Sequence, residues 1–346
     1  MKVQILMSVY NGSVYLKRQL ESIIAQDIGG ISLMIRDDGS TDSTSAIISE
    51  YRQKYPWIAY YRGKNVGVQR SFFDLIKSSD QSADYTAFAD QDDVWLPEKL
   101  SRAVLCLEAI GGRNDDLACN PGFKFYLDRG QSSDCEAHIS VPVAPDPATP
   151  LLYCGAQQMV GSDLKPIRAT VTRIVRRPDF GNALVQNICT GCTAVANRAL
   201  MDLLRTYPPE NIKNIIMHDW WLYLSASCFG RVFYDDVAYI RYRQHGKNVS
   251  SAILDRRTLL CYRLGQLRKS RGEIYRQVGE FLKTYREKLT CEELEDQLCM
   301  IQNLLSAQNT LRGRLKVACS GRYFRQKPTD DLIFRGIASA GPHHRQ

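Results

Sequence analysis

The first 110 residues alternate between two hydrophobic periods. Val3 to Val9 is an apolar run of strand length. After the turn Tyr10-Asn11-Gly12, the residues Leu16, Leu20, Ile23 and Ile24 recur at helical spacing. Ile31 to Ile35 predicts a second buried strand. It stops at Asp37-Asp38-Gly39-Ser40-Thr41-Asp42, whose Ser and Asp side chains can cap a helix beginning near Ser43. A third strand at Ile58 to Tyr61, a helix from about Val68 to Lys77, a fourth strand at Tyr85 to Ala89 and a helix from Pro97 continue the series. Strands and helices in this order predict an α/β fold with a mostly parallel sheet covered by helices on both faces.

Such sheets bind ligands beyond the carboxyl ends of their strands. Each predicted strand is followed there by a polar cluster: Tyr10-Asn11-Gly12, Asp37-Asp38-Gly39, Asn65-Val66-Gly67 and Asp90-Gln91-Asp92-Asp93. They should meet on one edge. Between Asp115 and Phe180 prolines interrupt the pattern, with short strand-like pieces such as Phe123 to Leu127. Ala183 to Asn197 mixes apolar residues with the turn Thr190-Gly191-Cys192. Ile215 to Cys228 predicts a buried helix carrying His218 and Asp219, and Arg231 to Tyr242 a strand pair or a bulged strand. Helical spacing returns beyond Ser251, first at Leu259, Tyr262, Leu264 and Leu267, then at Leu294, Leu298, Ile301, Leu304 and Leu305. The expected organisation is an α/β half over 1–112, a second half of the same domain over 113–254 and a helical region over 255–346.

Composition narrows the classes. The chain has 346 residues, 24% charged and 44% hydrophobic, which excludes collagen-like, coiled-coil and disordered readings. Its 11 cysteines follow no framework spacing, and the amino terminus shows no secretory signal. A reducing cytoplasm is the expected address. No apolar run is long enough to span a bilayer. The net charge of +8 is concentrated beyond residue 254, where 18 basic residues face 10 acidic ones. This balance suits an anionic membrane surface, though a solvated helical face would carry it too. A nucleic-acid partner is not expected: the tail lacks a recognition module, and the acidic stretch from Glu292 to Asp296 repels phosphate.

Several residues can carry chemistry. Asp90, Asp92 and Asp93 are crowded after a core strand, so their charges repel unless a cation neutralises them, and Mg²⁺ or Mn²⁺ is the natural partner. Asp37 and Asp38 can accept hydrogen bonds from a nucleotide base or a ribose, or cap the following helix. Asp219 lies in an apolar helix, where partial desolvation would raise its pKa towards general-base use. Trp220 and Trp221 can stack on a sugar or pack the core. His245, in a polar loop, reads by itself as a surface residue. Cys189 and Cys192 lack the partners of a zinc site and read as buried thiols. Neither a P-loop nor a dinucleotide-binding glycine fingerprint is present.

Together these clusters resemble, in order and spacing, the family 2 glycosyltransferases of GT-A fold: Ser8-Val9-Tyr10-Asn11-Gly12, Arg36-Asp37-Asp38-Gly39-Ser40-Thr41-Asp42, Asn65-Val66-Gly67, and Asp90 through Leu100. The resemblance extends to about residue 250. Thr190-Gly191-Cys192-Thr193, His218-Asp219-Trp220-Trp221 and Arg243 through Ser250 are similar to the rhamnosyltransferase-type enzymes of bacterial surface polysaccharides. The resemblance implies that Tyr10 and Asp38 hold the donor's base, with Asp37 or Arg36 at the ribose or diphosphate and Asn11, Asn65, Asp90 and Gln91 lining the donor site. It further implies metal contacts at Asp92, Asp93 and His245. Asp219 would be the base, and Gly191, Cys192, His218, Trp220 and Trp221 would line the acceptor side.

The implied activity is an inverting, metal-dependent transfer from a dTDP- or UDP-sugar, such as dTDP-rhamnose, to a saccharide or lipid-linked acceptor at the inner membrane face. A sugar nucleotidyltransferase and a non-catalytic nucleotide- or glycan-binding protein are the alternatives. The first usually needs a Gly-rich, basic loop after the first strand, where Tyr10 to Tyr15 offers only Gly12.

Overall fold

The computed structural model describes residues 1–111, 148–167, 173–244 and 271–339. The strand-like piece Phe123–Leu127, the spacing at Leu259–Leu267 and His245 lie outside them. A seven-stranded sheet runs β3-β2-β1-β4-β8-β6-β9. Its strands are β1 (Val3–Val9), β2 (Ile31–Asp37), β3 (Ile58–Arg62), β4 (Tyr85–Ala89), β6 (Leu151–Gly155), β8 (Val195–Asn197) and β9 (Arg231–Asp235). All neighbours pair in parallel except β8, which is antiparallel to both β4 and β6. A small second sheet joins β5 (Val94–Trp95), β10 (Ile240–Arg243) and β7 (Gln158–Val160). The mostly parallel α/β architecture expected from the alternating periods is therefore present.

Side-chain alternation divides the core into two layers. Ile5 and Met7 of β1 face α1 (Leu16–Ile24), α2 (Thr44–Lys54) and α4 (Lys99–Ile110) through Leu20, Ile48 and Leu107. Leu6 and Phe88 face the other side, towards α3 (Val68–Ser78), α5 (Phe180–Ala183), α6 (Arg198–Thr206) and α7 (His218–Phe229). That second layer continues into the carboxy-terminal helices: α8 (residues 271–284), α9 (Glu295–Asn309), α10 (Leu311–Cys319) and α11 (Pro328–Ser339). Trp221 of α7 lies edge-on to Phe281 with ring centroids 5.4 Å apart and stacks with Tyr285 at 6.0 Å. No helix among the described residues is long and apolar enough to cross a membrane.

Two sequence expectations change. The helix expected from Ile215 begins at His218. The preceding backbone is held by side chains from elsewhere: Gln69 donates to the Ile216 carbonyl at 2.6 Å, and the Ile216 N–H donates to Gln277 at 2.8 Å. The expected pair over Arg231–Tyr242 exists as two strands, but they belong to different sheets. Asp235 marks the exit from β9, accepting from Arg102 at 2.8 Å and from the Val237 N–H at 3.0 Å.

Because Trp221 is fully enclosed between the sheet layer and α8, Trp221→Ala should lower unfolding free energy by about 3–5 kcal/mol. Urea denaturation followed by circular dichroism measures it.

Candidate active site

The polar loops predicted to share one edge follow β2, β1 and β4, which are neighbours in the sheet. After β1, Tyr10 is exposed, and the Gln91 amide grips its backbone by accepting from its N–H at 2.8 Å and donating to its carbonyl at 3.0 Å. Asn11 ties the same loop to the next one, accepting from the Thr41 N–H at 2.8 Å and donating from its own N–H to Ser40. After β2, Asp37 is fully enclosed and accepts from the Ser40 N–H and the Tyr60 hydroxyl. Gly39 turns this loop with φ of 88°, a conformation that disfavours a side chain. Asp38 accepts from Arg36 at 2.5 Å and from the N–H groups of Val66 and Gly67 at 2.9 Å each, clamping the loop that exposes Asn65.

Asp37, Asp38 and Gln91 are expected as donor contacts, yet the hydrogen bonds of Asp38 and Gln91 tie loop to loop and those of Asp37 brace its own turn against β3. Their carboxylates and amide shape the cleft edge, and the exposed groups on it are Tyr10, Asn11 and Asn65.

The acidic cluster follows β4. Asp90, Asp93 and the Cys192 thiol bring ligand atoms within 4.8 Å of one another. Burial, then the charges of Asp93, Asp92 and Asp219, hold Asp90 well above the usual carboxylate range. Burial and the charge of Asp92 push Asp93 up to about 7. Asp93 Oδ1 accepts from the Arg243 N–H at 3.1 Å, whereas its enclosed Oδ2 has no nitrogen or oxygen partner. A hard divalent cation fits this set, because it would supply the charge that mutually repelling carboxylates and an orphaned oxygen lack. The Cys192 thiol does not suit such an ion. Burial and the nearby carboxylates raise its pKa, and a protonated sulfur is a poor ligand for a hard cation.

The close trio shares Asp93 with the metal set expected from sequence. Asp92 is not in the close trio, and its backbone carbonyl accepts from Arg243 Nε at 2.7 Å. Asp90, expected at the donor, stands in the trio instead.

Asp219 reaches the same cluster from α7. It occupies the first turn of the helix, where the amino-terminal dipole favours a carboxylate. Asn187 Nδ2 donates to Oδ1 at 2.9 Å and the Gly191 N–H to Oδ2 at 2.8 Å. Burial outweighs these bonds and pushes its pKa up to about 6. Gly191 precedes β8, which pairs with β4, so the segment that orients Asp219 is built onto the strand that presents Asp90. A side chain at Gly191 would put Cβ 2.9 Å from His218 Nε2, so only glycine lets the backbone come this close.

The expected acceptor-side aromatics lie elsewhere. His218 is 2% exposed and stacks on Phe72 at 3.8 Å; burial pushes its pKa down to about 3, so it is neutral. Trp220 donates from Nε1 to the Ala183 carbonyl at 2.7 Å, and Trp221 belongs to the core. Side chains of a four-residue helical run point in different directions, so His218, Trp220 and Trp221 do not share the cleft face of Asp219, and the sheet and α8 around them are apolar.

Residues 4–129 match the model of glycosyl transferase family 2. Over that stretch the chain is similar to the family 2 glycosyltransferases. Among relatives, a dTDP-rhamnosyl transferase, RfbG of Shigella flexneri, is 28% identical over 254 residues, covering 70% of this chain and 72% of that protein. A processive diacylglycerol beta-glycosyltransferase of Mycoplasma pneumoniae is 31% identical over 119 residues, about a third of each. The fold resembles that of S. aureus TarS 1-349 solved in complex with UDP-GlcNAc, with a TM-score of 0.53 at 14% identity, covering 98% of this chain and 90% of that one.

Three residues of this site escape the sequence reading. Asn187 orients Asp219, and its one signal is a polar side chain just before the Cys189–Cys192 turn. Arg243 ties β10 to the acidic loop while its guanidinium lies 4.4 Å from the Tyr15 ring. Lys99 looks like a surface charge in Pro97-Glu98-Lys99 but is 1% exposed. Its Nζ sits 3.7 Å from the Trp95 ring centroid, and burial pushes its pKa down to about 7 against the pull of Cys192 and Asp93.

Removing the Asn187 hydrogen bond takes away a group that favours the charged carboxylate, so the pKa of Asp219 rises further. Asn187→Ala should therefore move the acid limb of the rate profile to higher pH by roughly one pH unit. Initial rates from pH 5 to 8 read it.

Proposed function

We propose that this chain is an inverting, metal-dependent glycosyltransferase that carries rhamnose from dTDP-rhamnose, or a related hexose from a UDP-sugar, to a glycan or lipid-linked glycan in surface polysaccharide synthesis. The observation that supports it is electrostatic: the charges of Asp92, Asp93 and Asp219, from two distant stretches of chain, all act on Asp90. The similarity to a dTDP-rhamnosyl transferase over most of both chains favours the donor.

In this reading Tyr10, Asn11 and Asn65 meet the nucleotide from the cleft edge, which Asp37, Asp38, Arg36 and Gln91 hold in shape. Asp90 and Asp93, with Asp92 between them in the loop, would hold a divalent cation, Mg²⁺ or Mn²⁺, which would supply positive charge against the departing diphosphate. Asp219 accepts the proton of the acceptor hydroxyl as its oxygen attacks the anomeric carbon opposite the diphosphate. Asn187 and the Gly191 N–H keep that carboxylate aimed. No covalent nucleophile is required, because a single displacement inverts the centre with one base. The basic carboxy-terminal region sets the enzyme peripherally on the inner face of the plasma membrane.

Asp219→Asn should cut turnover by roughly 10²–10⁴-fold. Thermal shift with dTDP-rhamnose or a UDP-sugar should still report donor binding. Undiminished turnover would remove Asp219 from the chemistry. A wild-type protein that binds donor yet never transfers sugar would favour the non-catalytic alternative.

Chelation of divalent ions should abolish transfer, and added Mn²⁺ or Mg²⁺ should restore it. Asp90→Asn should demand more metal for the same rate, read as a right-shifted metal titration.

A further inference from the structure

The outward face of α10 is built the wrong way round for water. Leu311 and Leu315, one helical turn apart, are 61% and 50% exposed, while Gly313 and Val317 are the buried positions. At 100° per residue the exposed side chains form one arc, in the order Leu311, Leu315, Cys319, Arg312, Lys316. Arg314, half-buried, borders the arc on its other side. An apolar strip flanked by cations is the pattern of a helix that lies in the plane of a bilayer interface. Lysine and arginine stems on either side can extend past the leucines to reach headgroup phosphates.

Charge along the chain fits the same neighbour. From Gln297 to Thr329 there are six Lys or Arg and no Asp or Glu. Nearby carboxylates are already engaged: Asp296 pairs with Arg322 and Asp331 with Arg335. Arg314 and Lys316 donate to neutral oxygens, those of the Thr310 carbonyl and of Asn303. The helix is also firmly seated, since a Cβ on Gly313 would come within 2.4 Å of Ser306 Oγ on α9. The strip is therefore a fixed surface of the fold.

We infer that α10 docks the protein on an anionic phospholipid surface, with Leu311 and Leu315 entering the headgroup–acyl boundary and Arg312, Arg314 and Lys316 meeting lipid phosphates. This rests on the membrane setting proposed above and not on the transfer chemistry.

The test is cosedimentation of the full chain with phosphatidylcholine vesicles that contain or lack phosphatidylglycerol. Wild type should partition onto the anionic vesicles. Leu311→Ser/Leu315→Ser and Arg312→Glu/Lys316→Glu should each lower the partition coefficient at least about tenfold, with an unchanged thermal midpoint. The Asp219→Asn protein should bind vesicles as wild type does, which separates this inference from the catalytic one. Wild type that ignores anionic vesicles, or double variants that bind as well as wild type, would overturn it. So would a dimer seen by light scattering without lipid that the leucine variant dissolves, because the strip would then belong to a second copy of the chain.

Discussion

Carboxylates gathered at one end of a parallel sheet repel one another, and much of the surrounding chain is arranged around that repulsion. Asp90, Asp92 and Asp93 leave β4 within four positions, and Asp219 adds a further charge from α7. In a partly buried cleft such charges cost free energy unless each is given donors or a counter-charge. The fold supplies donors unevenly. Asp219 receives two hydrogen bonds and a helix terminus, Asp93 receives one backbone N–H and the field of Lys99, and Asp90 is left the most perturbed. That unevenness separates a group suited to taking a proton from groups suited to holding a cation.

The same economy explains the neighbouring loops. Arg36 donates to both Asp38 and Ser71 beneath the strand ends, and Gln91 couples the Tyr10 loop to the acidic loop. Polar residues that look from sequence like ligand contacts are in large part the fasteners that let exposed neighbours, Tyr10, Asn11 and Asn65, occupy fixed positions. Rigid support of this kind is what positioning a nucleotide against a reacting hydroxyl requires.

The strand–helix alternation of residues 1–110 was legible because each element is long enough to show its period, and strand ends in a parallel sheet converge by topology alone. The motif order was sufficient to point to the family whose model matches residues 4–129. Contacts between distant segments were not legible. Nothing local distinguishes Lys99 from a surface lysine, and its burial follows from Trp95 and the acidic loop closing over it. His218, Trp220 and Trp221 read as a ligand-facing run because one periodicity cannot say that both sides of α7 are covered, the second time by α8, whose own sequence lies more than fifty residues on. The start of α7 was misread for a related reason: side chains of Gln69 and Gln277 hold the preceding backbone, and no local signal records them.

The aromatic contact of Trp221 with Phe281 and Tyr285 has a practical meaning for the shape of the enzyme. The helix whose first turn presents Asp219 is propped from behind by α8, so this carboxy-terminal helix is a buttress of the proposed base as much as an appendage. Cutting the polypeptide after residue 254 would strip that support and bare a tryptophan. Bracing and the inferred surface attachment can be separated by substitutions confined to the outer side of α10, which leave Phe281 and Tyr285 in place.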